Sequence, residues 1–295
     1  MRKIAVALGG GGARGNAHIG VLRVLEREGY QISAIAGTSF GALVAAFYAV
    51  GYSPDEIEEK FSEVDQSKVY ELGLRANPSL LGLSKVRKWL DETLGEKTFA
   101  ETRIPCAVTA ADLNCNCEVT LNLGMLKNAV LASVAIQGIF PPYEMDDHHL
   151  VDGGILNPVP VSVARELAPK LPVIAVALTA PLSSTLSYYL PTSLSAMIPQ
   201  SIARRITRLN ISQALDIFLQ SIDISNRAIT ELRLEKEPPD LLIRPAVEKI
   251  GLLDQVVVAD VARLGEEALE SLLPELKKAT RPRGFFDILL NGKRK

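Results

Sequence analysis

The sequence is poor in the features that mark several classes of protein. Three cysteines among 295 residues, Cys106, Cys115 and Cys117, cannot all pair, which argues against a disulfide framework. The run Asn114-Cys115-Asn116-Cys117 has no histidine beside it in the chain and reads as a strand and turn rather than a metal site. No stretch approaches the roughly 18 apolar residues of a membrane-spanning helix. The opening "MRKIAVAL" starts as a secretory leader would, yet its apolar run stops at Leu8, short of the ~7–15 residues a leader core needs, so the expected location is the cytoplasm. A formal net charge of −2 gives the whole molecule no field suited to nucleic acid. Histidine is scarce as well: only His18, His148 and His149 are available to a catalytic triad.

What is present is an ordinary balance of 47% hydrophobic and 22% charged residues, with enough chain for one large α/β domain and its core. Charge is uneven, however. Residues 277–295, "KKATRPRGFFDILLNGKRK", hold seven Lys/Arg against one acid, Asp287, with aromatic and aliphatic residues between the basic clusters. That pattern suits an anionic lipid surface, peripheral on the inner membrane face; the plainer reading is a solubilising terminus. The expected division is a domain over 1–276 and this basic tail.

Along the first half, apolar runs alternate with helical patterns, as βαβ units do. Ile4–Leu8 and Ile32–Ala36 read as buried strands, 16–28 and Phe40–Val50 as helices. "SPDEIEEKF" opens a third helix with Ser53 as N-cap, Pro54 at the first position and Glu56 completing a capping box. A helix covers about 84–94, two strands about the Asn/Cys turn suggest a hairpin, and 125–135 and 161–168 are helical. Val173–Leu178 and "PPDLLIRP" read as strands, and Val256–Lys278 as a last helix. Between them, a helical stretch from 186 to about 235 includes a candidate lid or interfacial surface at 186–222, or simply a helical pair on the sheet. The predicted fold is α/β in three layers, helices on both faces of a mostly parallel central sheet.

Gly10-x-Gly12-x-x-Gly15 follows the first strand and opens the first helix, a place where backbone N–H groups gather an anion. A phosphate loop would need Lys at 16 and Ser or Thr at 17, but those positions are Asn16 and Ala17. A dinucleotide site would need an acid closing the second strand; Gly37, Thr38 and Ser39 stand there instead. Gly37-Thr38-Ser39-Phe40-Gly41 is GxSxG between an apolar strand and an apolar helix, the context of a nucleophile elbow. Loops after adjacent parallel strands emerge at one sheet edge, so the amides of Gly10, Gly11 and Gly12 can serve as oxyanion donors facing Ser39. For a base, His148 and His149 lie in "EMDDHHLVDGG", which reads as an acidic polar turn, while Asp152-Gly153-Gly154 offers a carboxylate able to take the serine proton directly, or a turn-forming Asp.

Together these residues resemble the patatin-like phospholipase family. "GGGARG" at 10–15 is similar to its glycine-rich oxyanion block with a basic residue, Arg14; "GTSFG" at 37–41 to its elbow; "DGG" at 152–154 to its catalytic Asp motif. A fourth block appears as "SVAIQGIFPP" from Ser133 to Pro142, with Gln137 where the family usually has Pro. The resemblance covers about residues 4–180. It implies Ser39 as nucleophile, Asp152 as general base, Gly10, Gly11 and Gly12 as oxyanion donors, and Gly15, Gly37, Gly41, Gly153 and Gly154 as supports. Arg14 has two readings, binding substrate phosphate or fixing the loop. The implied substrates are lipid esters such as phospholipids or lysophospholipids, with no cofactor, calcium or other metal required. Two alternatives stand: a Ser-His-acid esterase using His148 or His149, and a non-catalytic lipid- or nucleotide-binding member of the fold.

Overall fold

The computed structural model describes residues 1–64, 71–72, 81–182 and 211–281. Strand β1 (Arg2–Leu8) sets the layering. Its alternation sends Ile4, Val6 and Leu8 into one core and Ala5 and Ala7 into another. The first core also holds α1 (Ala17–Arg27), α2 (Phe40–Val50) and α3 (Pro54–Ser62). The second joins those alanines to Ala34, Ala36, Ala107 and Ala175 beneath Val161, Val163 and Ala164. A strand buried on both faces belongs to a parallel sheet covered by helices on both sides.

The main sheet runs β10-β9-β1-β2-β5-β8-β7, with β6 paired to β5. Strands β1, β2 (Tyr30–Thr38), β5 (Cys106–Asp112), β9 (Val173–Val176) and β10 (Leu241–Ile243) are mutually parallel. β6 (Cys117–Leu121) and β8 (His148–Asp152) run antiparallel to β5, and β7 (Tyr143–Met145) antiparallel to β8. A separate two-stranded piece pairs β3 (Glu71–Leu72) with β4 (Leu81–Gly82). The three-layer, mostly parallel α/β architecture is therefore the one expected. The chain passes from β1 to β2 on one side and returns to β9 on the other, so the crevice at the carboxyl ends of β1 and its neighbours is a topological switch point.

Local signals fix several boundaries. The Ser53/Glu56 capping box forms at the start of α3, and Gly51 closes α2 at φ 105. A helix over Ser84–Thr93 (α4), another over Leu126–Ser133 (α5) and a third over Val161–Leu167 (α6) match their expected places. The long helix α7 runs Ile211–Lys236. Two expectations need correction. The polar stretch around His148 is a β-hairpin, β7–β8, turning at Asp146 with φ 52. The single last helix is two, α8 (Val258–Glu270) and α9 (Leu273–Ala279), the second starting with Pro274 in its first turn, where a missing N–H costs nothing.

Helix α9 runs across the expected domain boundary at 276. Leu276 is fully buried, and Thr280 Oγ1 lies 3.1 Å from the Tyr30 hydroxyl. The folded unit thus includes the first basic residues of the tail; residues 282–295 lie outside the described residues. Helices α1 and α8 cross with backbones touching, because a methyl at Gly20 or Gly265 would strike the carbonyl of Ala262 or Ala17. The β5–β6 turn holds a Cys115–Cys117 disulfide that the strand-and-turn reading does not foresee.

Candidate active site

Ser39 follows β2 and caps α2 with φ 55 and ψ −125, a conformation L side chains avoid. Several contacts hold it there. Its N–H donates to Ser133 Oγ at 2.8 Å, and Ser133 Oγ donates to Thr109 O at 2.7 Å. Thr38 Oγ1 donates to Asn157 O at 2.8 Å and accepts from Thr109 Oγ1 at 2.7 Å. The flanking glycines are required by close approach: a methyl at Gly41 would meet the carbonyls of Leu8 and Gly9, and one at Gly37 the carbonyl of Gly41. Ser133 and Thr109 are positioning groups that sequence reasoning left out, although Ser133 opens the "SVAIQGIFPP" block.

The glycine loop lies against this elbow; a Cβ on Gly10 would sit 3.2 Å from Ser39 Cβ. Its amides are not equivalent. Gly9 N–H donates to Val176 O and Gly10 N–H to Pro158 O, both at 2.9 Å. The Gly10 N–H, expected among the oxyanion donors, thus already has an acceptor in the fold. Ala13 N–H donates to Leu252 O at 2.9 Å and Arg14 N–H to Gly11 O at 3.3 Å. Among the described residues, the N–H groups of Gly11 and Gly12 have no acceptor and remain open to one.

Two side chains and a glycine fix the loop. His18 is wholly buried, and its Nε2 donates to Gly9 O at 2.8 Å. A carbonyl only accepts, so the ring is the neutral Nε2–H form; burial pulls its pKa down to about 4. Arg14 donates from Nε to Ile250 O at 2.5 Å and from Nη1 to Asp223 Oδ1 of α7 at 2.7 Å. Of its two readings the loop-fixing one matches, since its guanidinium is spent on these partners. Gly15 lets the Phe40 ring pack over the turn.

Asp152 ends β8, four residues beyond His148. Its N–H donates to Ala135 O, and its carbonyl accepts from Gln137 Nε2, both at 2.9 Å. The Gln found in place of Pro thus contributes a bond to the backbone of Asp152. The carboxylate accepts from Gly154 N–H at 2.7 Å and lines the same small cavity as Ser39. Gly153 is needed because a methyl there would strike Thr109. Burial raises the Asp152 pKa to about 6, against the lowering pull of the nearby Ser39 side chain and the Gly154 N–H.

Ser39 stands where two cavities meet. One, of about 370 Å³, is walled by Phe40, Leu43, Phe61, Val86, Trp89 and Phe140. The other, about 30 Å³, lies between Gly11, Gln137, Asp152, Asp223 and Asn226. No histidine lines either cavity. His148 Nδ1 is instead 2.6 Å from Asp112 Oδ2, and His149 is exposed beside it, so neither stands where the Ser-His-acid alternative would need a base. Among the described residues no group of three or more His, Cys, Asp or Glu could hold a metal ion, and no helix is long and apolar enough to cross a membrane. Of the expected lid, 186–210 lies outside the described residues; the remainder belongs to α7, from which Ile222 and Asp223 reach the small cavity.

Comparison with known proteins follows the same lines. The family model for patatin-like phospholipases matches residues 6–165. An uncharacterized NTE family protein of Mycobacterium tuberculosis is 39% identical over 163 residues, covering 54% of this chain and 45% of its own. Patatin-like phospholipase domain-containing protein 6 of Homo sapiens is 31% identical over 175 residues, covering 57% of this chain and 13% of its own. This chain therefore spans less than half the length of these relatives. In three dimensions it is similar to VipD from Legionella pneumophila, with a TM-score of 0.57 at 13% identity, covering 92% of this chain and 66% of that one.

Proposed function

Because the chain belongs to the patatin-like phospholipase family, we propose that it is a serine lipid acyl hydrolase working through a Ser39–Asp152 dyad. The observation that carries this reading is a buried carboxylate, Asp152, lining the same small cavity as Ser39 on its strained elbow. Asp152, raised to about 6, is ionised near neutrality yet basic enough to accept a proton. It takes the proton as Ser39 Oγ attacks the ester carbonyl. The oxyanion forms at the N-terminus of α2, against the open amides of Gly11 and Gly12, each worth ~10²–10³ in rate. Asp152 then gives the proton to the leaving alcohol and activates water to release the acid from Ser39.

The two cavities suit the two halves of such an ester. An apolar volume of about 370 Å³ takes an acyl chain. The small polar space beside Asp152 takes the leaving alcohol, and afterwards the attacking water. Exposed Ile217, Phe218 and Ile224 on α7 give the site an apolar flank through which a lipid surface is met. Hydrolysis of phospholipid, lysophospholipid and simple esters by purified protein tests the reading. Ser39→Ala and Asp152→Asn should each cut turnover at least about 10³-fold; near wild-type turnover in either refutes the dyad.

A further inference from the structure

The turn joining β5 and β6 carries chemistry that ester hydrolysis does not use. Cys115 and Cys117 are bonded to each other, and both are exposed. Their ring encloses a single residue, Asn116, held at φ 54, a left-handed turn that asparagine adopts more readily than most residues. A bridge across so short a loop removes little freedom from the unfolded chain, so it contributes little as a staple. Exposed bridges are the ones that open readily. The remaining cysteine, Cys106, is buried and is not a competing partner.

The surroundings favour the open form. Cys115 Sγ lies 3.6 Å from Asp112 Oδ2, a carboxylate oxygen also in contact with His148 Nδ1 at 2.6 Å. A disulfide sulfur has no proton to offer this oxygen, whereas a thiol has one. We propose that Cys115–Cys117 is a thiol–disulfide exchange site, open to dithiols in the folded protein, with Asp112 as the acceptor that steadies the reduced pair. The site is independent of the hydrolase reading.

The exchange balances as follows. A thiolate of the dithiol attacks Cys117 Sγ, and the Cys115–Cys117 bond breaks. Its electron pair leaves on Cys115 Sγ, which takes a proton from solvent and donates it to Asp112. The second thiolate of the reagent then displaces Cys117, which is protonated in turn. The protein gains two electrons and two protons, and the dithiol becomes a cyclic disulfide.

Full-length protein is purified without reductant, equilibrated with mixtures of reduced and oxidised dithiothreitol, alkylated while folded, and mapped by mass spectrometry. The expected result is Cys115 and Cys117 linked at the oxidised end. They should become labelled together across one transition, with the near-UV circular dichroism unchanged and Cys106 unlabelled. Asp112→Ala should need about threefold more reduced dithiothreitol for half reduction, while Asp112→Asn, which keeps an acceptor, should stay near wild type. Free thiols that oxidised dithiothreitol does not pair, or a bridge that opens only on unfolding, would overturn the proposal. The wild-type titration decides this even if Asp112→Ala fails to fold.

Discussion

Asp152→Asn should make the protein more stable at neutral pH while removing its activity. The carboxyl moves from an ordinary 3.8 to about 6 on folding because burial disfavours its charge. Ionising it inside the fold therefore costs about 3 kcal/mol more than in the unfolded chain. Between these pH values the native state binds more protons than the unfolded state, so stability falls as pH rises toward 6 and the full cost persists above it. Asparagine keeps the shape and the acceptor for Gly154 N–H, and its amide can donate to Ser39. Losing one charge-assisted bond offsets part of the gain, leaving an expected stabilisation of about 1–2 kcal/mol at pH 8. Most of that difference should be gone by pH 4, where the wild-type carboxyl is protonated in the native state and about half protonated in the unfolded chain. His18, held to about 4 by burial, destabilises the fold as pH drops from 6.5, but it does so equally in both proteins and cancels from the difference. Urea denaturation of both proteins from pH 4 to 8 measures the effect. A variant no more stable at pH 8, or one whose advantage persists unchanged at pH 4, would refute the account of a buried, costly carboxylate.

The same group predicts an acid limb near pH 6 in kcat/KM, because only ionised Asp152 can take the serine proton; a limb near 4 would contradict this. Ser39→Gly should be more stable than Ser39→Ala by about 1–2 kcal/mol in thermal melts, since glycine accepts φ 55, ψ −125 without strain; equal stabilities would argue against strain at the elbow. His18→Ala should lower kcat about 10–100-fold with little change in KM, by freeing the Gly9 carbonyl and the loop beyond it. His18→Gln, able to donate to the same carbonyl, should recover most of that loss, whereas a purely space-filling role predicts no such rescue.

Much of the frame was legible because it rests on local rules. Alternation in "IAVAL" marks a two-faced buried strand, Ser53 and Glu56 announce a helix start, and Gly51 its predecessor's end. The elbow was readable for the same reason, since strand, serine and apolar helix are contiguous. The β7–β8 hairpin was hidden because its acidic and histidine residues obscure the alternation that would mark strands. The commitment of the Gly10 amide was hidden too, since its acceptor, Pro158, lies far along the chain and meets it only when the sheet forms. Likewise His18 reads as one more residue of an apolar helix face until its ring is seen on the Gly9 carbonyl. Gln137 looked like a departure from a pattern, and only the fold reveals its bond to Asp152.

The central claim is that Ser39 is a nucleophile activated by Asp152. A fluorophosphonate probe, which reacts with activated serines, tests it most directly when followed by peptide mapping. The account predicts one covalent adduct, on Ser39, absent in Ser39→Ala and formed far more slowly in Asp152→Asn. A folded protein that takes up no probe, or carries it on another residue, would contradict the account and favour a lipid-binding role for the same fold.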